Sequence, residues 1–201
     1  MPQYGFGNGP EPSHKEWLDE KYKLELDFPN LPYLIDGDVR ITQSMAILRY
    51  LGRKHGLAPK DEDTRRRVEV LELTAFDVLM STLRLTYNPD YTEEMRRQFL
   101  VDVADKLRQF VSYLAKHGPF SAGQTVTYVD FLLYETLQVV KTLGPRTFRE
   151  GSPQLEEYCK RVASLPKLKE YLASDRFKEW PIWSPFGKAL GPQHKPPGDD
   201  C

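Results

Sequence analysis

Apolar positions in this 201-residue chain repeat with two different periods. Between Leu26 and Leu51 they come in short runs: Tyr33-Leu34-Ile35, the turn dipeptide Asp36-Gly37, then Val39-Arg40-Ile41-Thr42 with apolar and polar residues alternating. That pattern predicts a β-hairpin. Pro32 precedes it, where the first residue of a strand can spare its N–H. Ser44 predicts an N-cap, and Gly56 a stop, for a helix from Met45 to about His55. From Thr64 the period becomes helical. Val68, Leu71, Ala75, Leu79 and Leu83 predict a long helix to about Thr86, closed by Asn88-Pro89. Phe99, Val103, Leu107, Phe110 and Leu114 predict a second, from Thr92 to about Lys116, with Gly118-Pro119 as its stop. Thr127, answered by Asp130 three residues on, predicts the capped start of a buried helix to about Leu143, with a structural carboxylate. Further helices are expected from about Pro153 to Leu165 and from Leu168 to Ala173. Upstream, Ser13 and Glu16 predict a capping box opening a short helix from His14 to about Tyr22.

Composition narrows the function classes. A formal charge of −1, with both signs interspersed, leaves no nucleic-acid footprint. No apolar run approaches the roughly 18 residues of a membrane span. The start, MPQYGFGNGP, carries neither a basic region nor an apolar core of the secretory kind. Cys159 and Cys201 form no CxxC pair, and His14, His55, His117 and His194 are scattered away from metal-ligand spacing. The expectation is a cytoplasmic protein with no metal, no cofactor, no nucleic acid and no membrane partner.

Three small constellations carry possible chemistry. Trp17 and Lys21 lie four apart on one helical face, where an indole N–H and an ammonium suit a carboxylate; alternatively they are a helix-covering Trp and a solvated Lys. Gln43 and Ser44 stand at the mouth of the helix after the hairpin, where free N–H groups and the positive dipole end favour an anion. Met80, Arg84 and Tyr87 follow one face of the first long helix; such a stripe also serves as ordinary core.

The run DFPNLPYLIDG, followed by ITQS, resembles the glutathione-binding half of the mu-class glutathione transferases. The resemblance covers nearly everything from Trp17 to about Ser184, weakening around 144–152, where this chain looks slightly longer. It implies an α+β and all-α two-domain fold. Residues 1–56 would form a partial thioredoxin-like glutathione-binding domain, 57–63 a linker, 64–190 an all-helical domain with the electrophile pocket, and 191–201 a flexible tail. By the same resemblance Pro32 is cis, and Leu31 meets the cysteinyl backbone of glutathione. Gln43 and Ser44 hold its γ-glutamyl carboxylate, Trp17 and Lys21 its glycine carboxylate, and Asn30 belongs to the same site. Asp77 would reach the γ-glutamyl amine in the other subunit of a homodimer, with Phe28 as the key inserted between that subunit's helices. Met80, Arg84, Tyr87 and Trp183 would line the electrophile pocket, Tyr87 as a possible assisting hydroxyl.

The family's first strand and helix, with the tyrosine that hydrogen-bonds the sulfur, have no counterpart in this sequence, so the thioredoxin-like domain is expected to be incomplete and no residue is assigned as catalytic. A parallel crossover needs about 30 residues, and about a dozen precede Ser13. The functional expectation is conjugation of reduced glutathione to hydrophobic electrophiles in detoxification. The alternative is a catalytically impaired, truncated member that binds glutathione or hydrophobic ligands. A helical interaction module fits less well, because the glutathione-contact residues persist.

Overall fold

The computed structural model describes residues 4–6 and 12–195. It forms two compact units that divide between Ala58 and Pro59. The first unit contains α1 (Lys15–Glu20), a 3-10 turn (Lys21–Lys23), β1 (Tyr33–Asp36), β2 (Val39–Thr42) and α2 (Ser44–Lys54). The strands pair antiparallel, Tyr33 opposite Thr42 and Asp36 opposite Val39. The turn between them is Gly37-Asp38, one residue later than the dipeptide read from the sequence, with Gly37 at φ +62°. Glycine at that first position is what a tight two-residue hairpin turn requires.

Helix α2 packs against both strands. Tyr50 donates its hydroxyl to Asp36 Oδ2 at 2.8 Å, and Lys54 forms an ion pair with the same carboxylate. These two bonds hold the Asp36 carboxyl below its ordinary range. Gly56, at φ +70°, closes α2 as expected. Leu57 N–H reaches the Gly52 carbonyl at 2.7 Å, and Gly56 N–H reaches that of Arg53 at 3.3 Å, the paired bonds of a Schellman ending.

Two start signals were misread in this unit. Ser44 is the first helical residue of α2, and Gln43 is its N-cap. The capping box at Ser13 does not form: Ser13 Oγ accepts from Lys15 N–H at 3.1 Å, and Glu16 Oε2 takes the Gly5 N–H at 2.6 Å. Glu16 is thus spent on a longer-range backbone donor that sequence spacing cannot reveal.

The second unit is helical: α3 (Glu62–Thr86), α4 (Glu93–His117), α5 (Tyr128–Leu143), α6 (Pro145–Gly151), α7 (Pro153–Ala163) and α8 (Pro166–Leu172). Helix α3 begins two residues inside the expected linker, because Asp61 caps it by accepting from Thr64 N–H at 2.8 Å. Helix α5 is the axis of the unit, packed against α3, α4, α6 and α7. Val129, Leu133, Leu137, Val140 and Leu143 on it are all sealed from solvent. Its start carries the predicted capping box. Asp130, fully buried, accepts from Thr127 N–H at 2.7 Å, Ser121 N–H at 2.7 Å, Ser121 Oγ at 2.6 Å and Tyr158 OH at 2.8 Å. A carboxylate with four donors answers the orphan N–H groups of a buried helix start. Helix α6 was not foreseen; it occupies the stretch where the family resemblance weakens, and buries Phe148. Gly144 before it has no room for a side chain, since a Cβ there would lie 2.6 Å from Leu100 Cδ1. Of the expected flexible tail, 196–201 lies outside the described residues, as does Cys201; Gly191 is buried and donates to His194 Nδ1 at 3.2 Å.

Candidate functional site

In the first unit, Trp17 is only 8% exposed and, with Leu26, is one of its two buried hydrophobic side chains among the described residues. Its indole lies nearly parallel to the Tyr33 ring, at 19° with centroids 6.1 Å apart, and meets the edge of Tyr4 at 5.4 Å. The Tyr4 and Tyr33 hydroxyls share a hydrogen bond of 3.0 Å. That bond is the main reason the Tyr4 phenol is pushed up to about 12. Lys21 continues the helix, its N–H bonding the Trp17 carbonyl, so the two side chains share a face. The Lys21 ammonium lies 5.3 Å from the centre of the Tyr22 ring.

Leu31-Pro32 is a cis peptide. Leu31 is 42% exposed, and its N–H is held by Asn30 Oδ1 at 2.9 Å. The Asn30 side chain is therefore turned onto the backbone of the residue that follows it.

At the start of α2, Gln43 has φ +69° and ψ 113°, a region that side chains other than glycine rarely enter. Its carbonyl accepts the Ile47 N–H at 2.9 Å. The amides of Ser44, Met45 and Ala46 consequently precede the first intrahelical donor, and neither Gln43 nor Ser44 places its side chain on them. Both side chains are exposed. A strained residue, three amides ahead of the first intrahelical donor and two uncommitted polar side chains are the elements from which an anion site at a helix start is built.

Phe28, before this segment, is 76% exposed. In the second unit Asp77 is exposed on α3, Met80 is half-buried and Arg84 exposed. Tyr87 caps the C-terminus of α3, and its ring lies 6.3 Å from that of Trp183. Its hydroxyl shares a 2.9 Å hydrogen bond with Ser184 Oγ and accepts the Ser184 N–H at 3.3 Å. Trp183 packs on the cluster of Leu85, Leu100, Val139, Leu143 and Leu190. The structure thus joins Tyr87 and Trp183, while Arg84 points away from burial. Sequence reading missed Ser184, Tyr4 and Tyr33; the aromatic and hydroxyl spacings carry no signal for partners 97 and 29 residues apart. Among the described residues, no group of three or more His, Cys, Asp or Glu side chains could hold a metal ion.

Comparison with known proteins decides the family. The glutathione S-transferase N-terminal domain model matches residues 3–53, and the C-terminal domain model matches 76–175. Glutathione S-transferase B of Cavia porcellus is 42% identical over 184 residues, 92% of this chain and 83% of that protein. Glutathione S-transferase Mu 1 of Bos taurus is 41% identical over 181 residues, 90% of this chain and 82% of its own. The chain belongs to the mu class of the glutathione S-transferase family. Among solved members, the glutathione S-transferase Blo t 8 superposes with a TM-score of 0.81 at 35% identity, covering 88% of this chain and 83% of that one. The hairpin, helix α2 and helical unit described above are therefore the glutathione S-transferase fold with its expected division of secondary structure. Among the described residues, no helix of this transferase is long and apolar enough to cross a membrane.

Proposed function

We propose that the chain is a cytoplasmic, homodimeric glutathione transferase that joins the thiol of reduced glutathione to small hydrophobic electrophiles, a detoxification reaction. The observation that carries this reading is Gln43, held at φ +69° with its side chain and that of Ser44 unspent at the mouth of α2. Strain of that kind costs on the order of 1–3 kcal/mol and persists where function uses it. The γ-glutamyl carboxylate of glutathione supplies the anion that such a mouth accepts, and Trp17 with Lys21 supplies two donors for the glycine carboxylate. The Leu31 backbone orients the cysteinyl part between them, with Asn30 and Pro32 shaping its loop.

Conjugation then requires little covalent work from the protein. A free thiol near pKa 8.5 is mostly protonated at neutral pH, so binding must favour the thiolate. The thiol proton passes to solvent, the thiolate attacks the electrophilic carbon and a C–S bond forms; a leaving group departs with its bonding pair, or the C–O or π pair is displaced and then takes up a proton. Met80 and Trp183 offer apolar surface to the electrophile with the Arg84 guanidinium at its edge, and the Tyr87 hydroxyl donates to oxygen that gains charge. In the homodimer, Phe28 enters the second copy, and Asp77 of each copy serves the glutathione of the other. The reading of the chain as a non-catalytic binder is not favoured, since relatives sharing over four-fifths of their length with it bear the transferase name.

The test measures conjugation of glutathione to 1-chloro-2,4-dinitrobenzene. A saturable rate in both substrates is expected, with Lys21→Ala raising KM for glutathione about tenfold while kcat holds, as loss of a uniform binding contact would. A rate no higher than the uncatalysed reaction would remove the transferase reading.

A further inference from the structure

We infer that Tyr4 and Tyr33 are positioning residues that fix the direction of the Trp17 indole N–H toward the ligand's carboxylate, an inference resting on the glutathione reading above. Three ring and hydroxyl contacts close a triangle: Tyr33 lies flat against the indole at 6.1 Å, Tyr4 meets it edge-on at 5.4 Å, and the two phenols are joined at 3.0 Å. Swinging the indole displaces one phenol and breaks that bond. Helix α1 has only six residues, too few to hold a side-chain direction by its own cooperativity. The orientation must come from outside the helix.

The strand supplies one side of the clamp and the N-terminal segment the other. That segment is tied to α1 by Gly5 N–H on Glu16 Oε2 at 2.6 Å, and to the residues just ahead of α1 by Ser13 N–H on the Phe6 carbonyl at 2.7 Å. With the ring so enclosed, the indole N–H takes no acceptor among the described residues. The buried polar atoms left without partners are Glu156 Oε2 and Trp183 Nε1, so the Trp17 N–H is not one of the sealed donors. A side chain that buries its ring and leaves its one donor open is built to present that donor.

The experiment uses the full chain and two ligands, reduced glutathione and its glycine amide, which lacks the glycine carboxylate. Calorimetry is expected to show Tyr4→Phe and Tyr33→Phe each weakening glutathione about fivefold, the scale of one hydrogen bond's orienting effect. The double variant should lose no more than either single one, because one bond is shared. Affinity for the amide should not change. Equal weakening of both ligands, or of neither, overturns the clamp. In the ligand-free protein, the Trp17 indole 1H–15N signal should shift or broaden in Tyr33→Phe; an unmoved signal also overturns it. A wild-type chain that binds no glutathione removes the glutathione reading instead, and the indole signal still decides whether the phenols position the ring.

Discussion

The Tyr87 hydroxyl and Ser184 Oγ lie 2.9 Å apart although 97 residues separate them in the chain. Their bond fastens the end of α3 to the C-terminal segment, and the Lys188 and Ala189 amides reinforce it by donating to the Thr86 carbonyl. Because the Ser184 N–H also donates to the Tyr87 oxygen, at 3.3 Å, that oxygen's lone pairs can be filled from the protein. When they are, the phenolic proton is free for a ligand.

Tyr87→Phe should therefore separate two classes of electrophile. Epoxides and enones, whose oxygen gains charge during attack, should lose about tenfold to a hundredfold in kcat/KM, up to the low end for a positioned acid. An aromatic halide should be changed much less. Parallel losses for both classes would mean that the hydroxyl serves only the Ser184 contact.

Asp130 is a structural prediction free of any ligand. Asp130→Ala leaves two buried amides and two hydroxyls without their acceptor. At about 1–3 kcal/mol for each orphaned buried group, the loss should reach at least about 3 kcal/mol. Urea unfolding of the two chains gives the comparison, and Asp130→Asn should fall between them.

Cys159 should be inert in the native protein. It is buried in α7, and burial first, then the Glu156 charge, push its thiol up to about 12. In a Cys201→Ser variant, a disulfide reagent at pH 8 should leave the native chain unlabelled and label one thiol after denaturation. The sign of the linkage follows from the raised folded value. The thiol's contribution is fully present below the unfolded value and is lost as pH rises from about 8.5 toward 12. Rapid native labelling would contradict the burial.

Much of the fold was legible because its signals are local. The Thr127–Asp130 box, the helical period of α3 to α5 and the Gly56 stop each act within a few residues, and the structure carries all three. The glutathione transferase resemblance rested on long runs and agrees with the family comparisons. What stayed hidden is long-range or competitive. Glu16 chose the Gly5 amide over the Ser13 amide, Asp61 capped α3 ahead of the expected start at Thr64, and Ser184 found Tyr87 across 97 residues. Trp17 was read as either a ligand donor or a covering side chain. Its ring is core and its N–H takes no acceptor among the described residues, so the alternatives describe different atoms of one residue.

Phe28 gives a prediction about assembly. An aromatic 76% exposed beside the hairpin is apolar surface that a second copy can cover. Burying a Phe contributes roughly 1.5–3 kcal/mol, and a two-fold dimer buries two, so Phe28→Ala should weaken dimerisation by about two to four orders of magnitude. Sedimentation equilibrium reads this directly, and equal dimer affinities would take the key role away.

Gln43 should show stability and binding moving in opposite directions. Its φ of +69° and ψ of 113° suit glycine, while its amide side chain stands uncommitted at the α2 mouth. Gln43→Gly relieves the backbone, worth on the order of 1 kcal/mol after glycine's own entropy cost is set against it. On the proposed role of Gln43, the same change removes a donor for the γ-glutamyl carboxylate and should weaken glutathione about tenfold. Gln43→Ala divides the two effects, since it keeps the strain and loses the amide. It should bind as weakly as the glycine variant without the gain in stability. Thermal unfolding and calorimetry on the three chains test both halves. A glycine variant that is less stable than wild type would show that the conformation is not strained, and one that binds equally well would show that the amide is not a ligand donor.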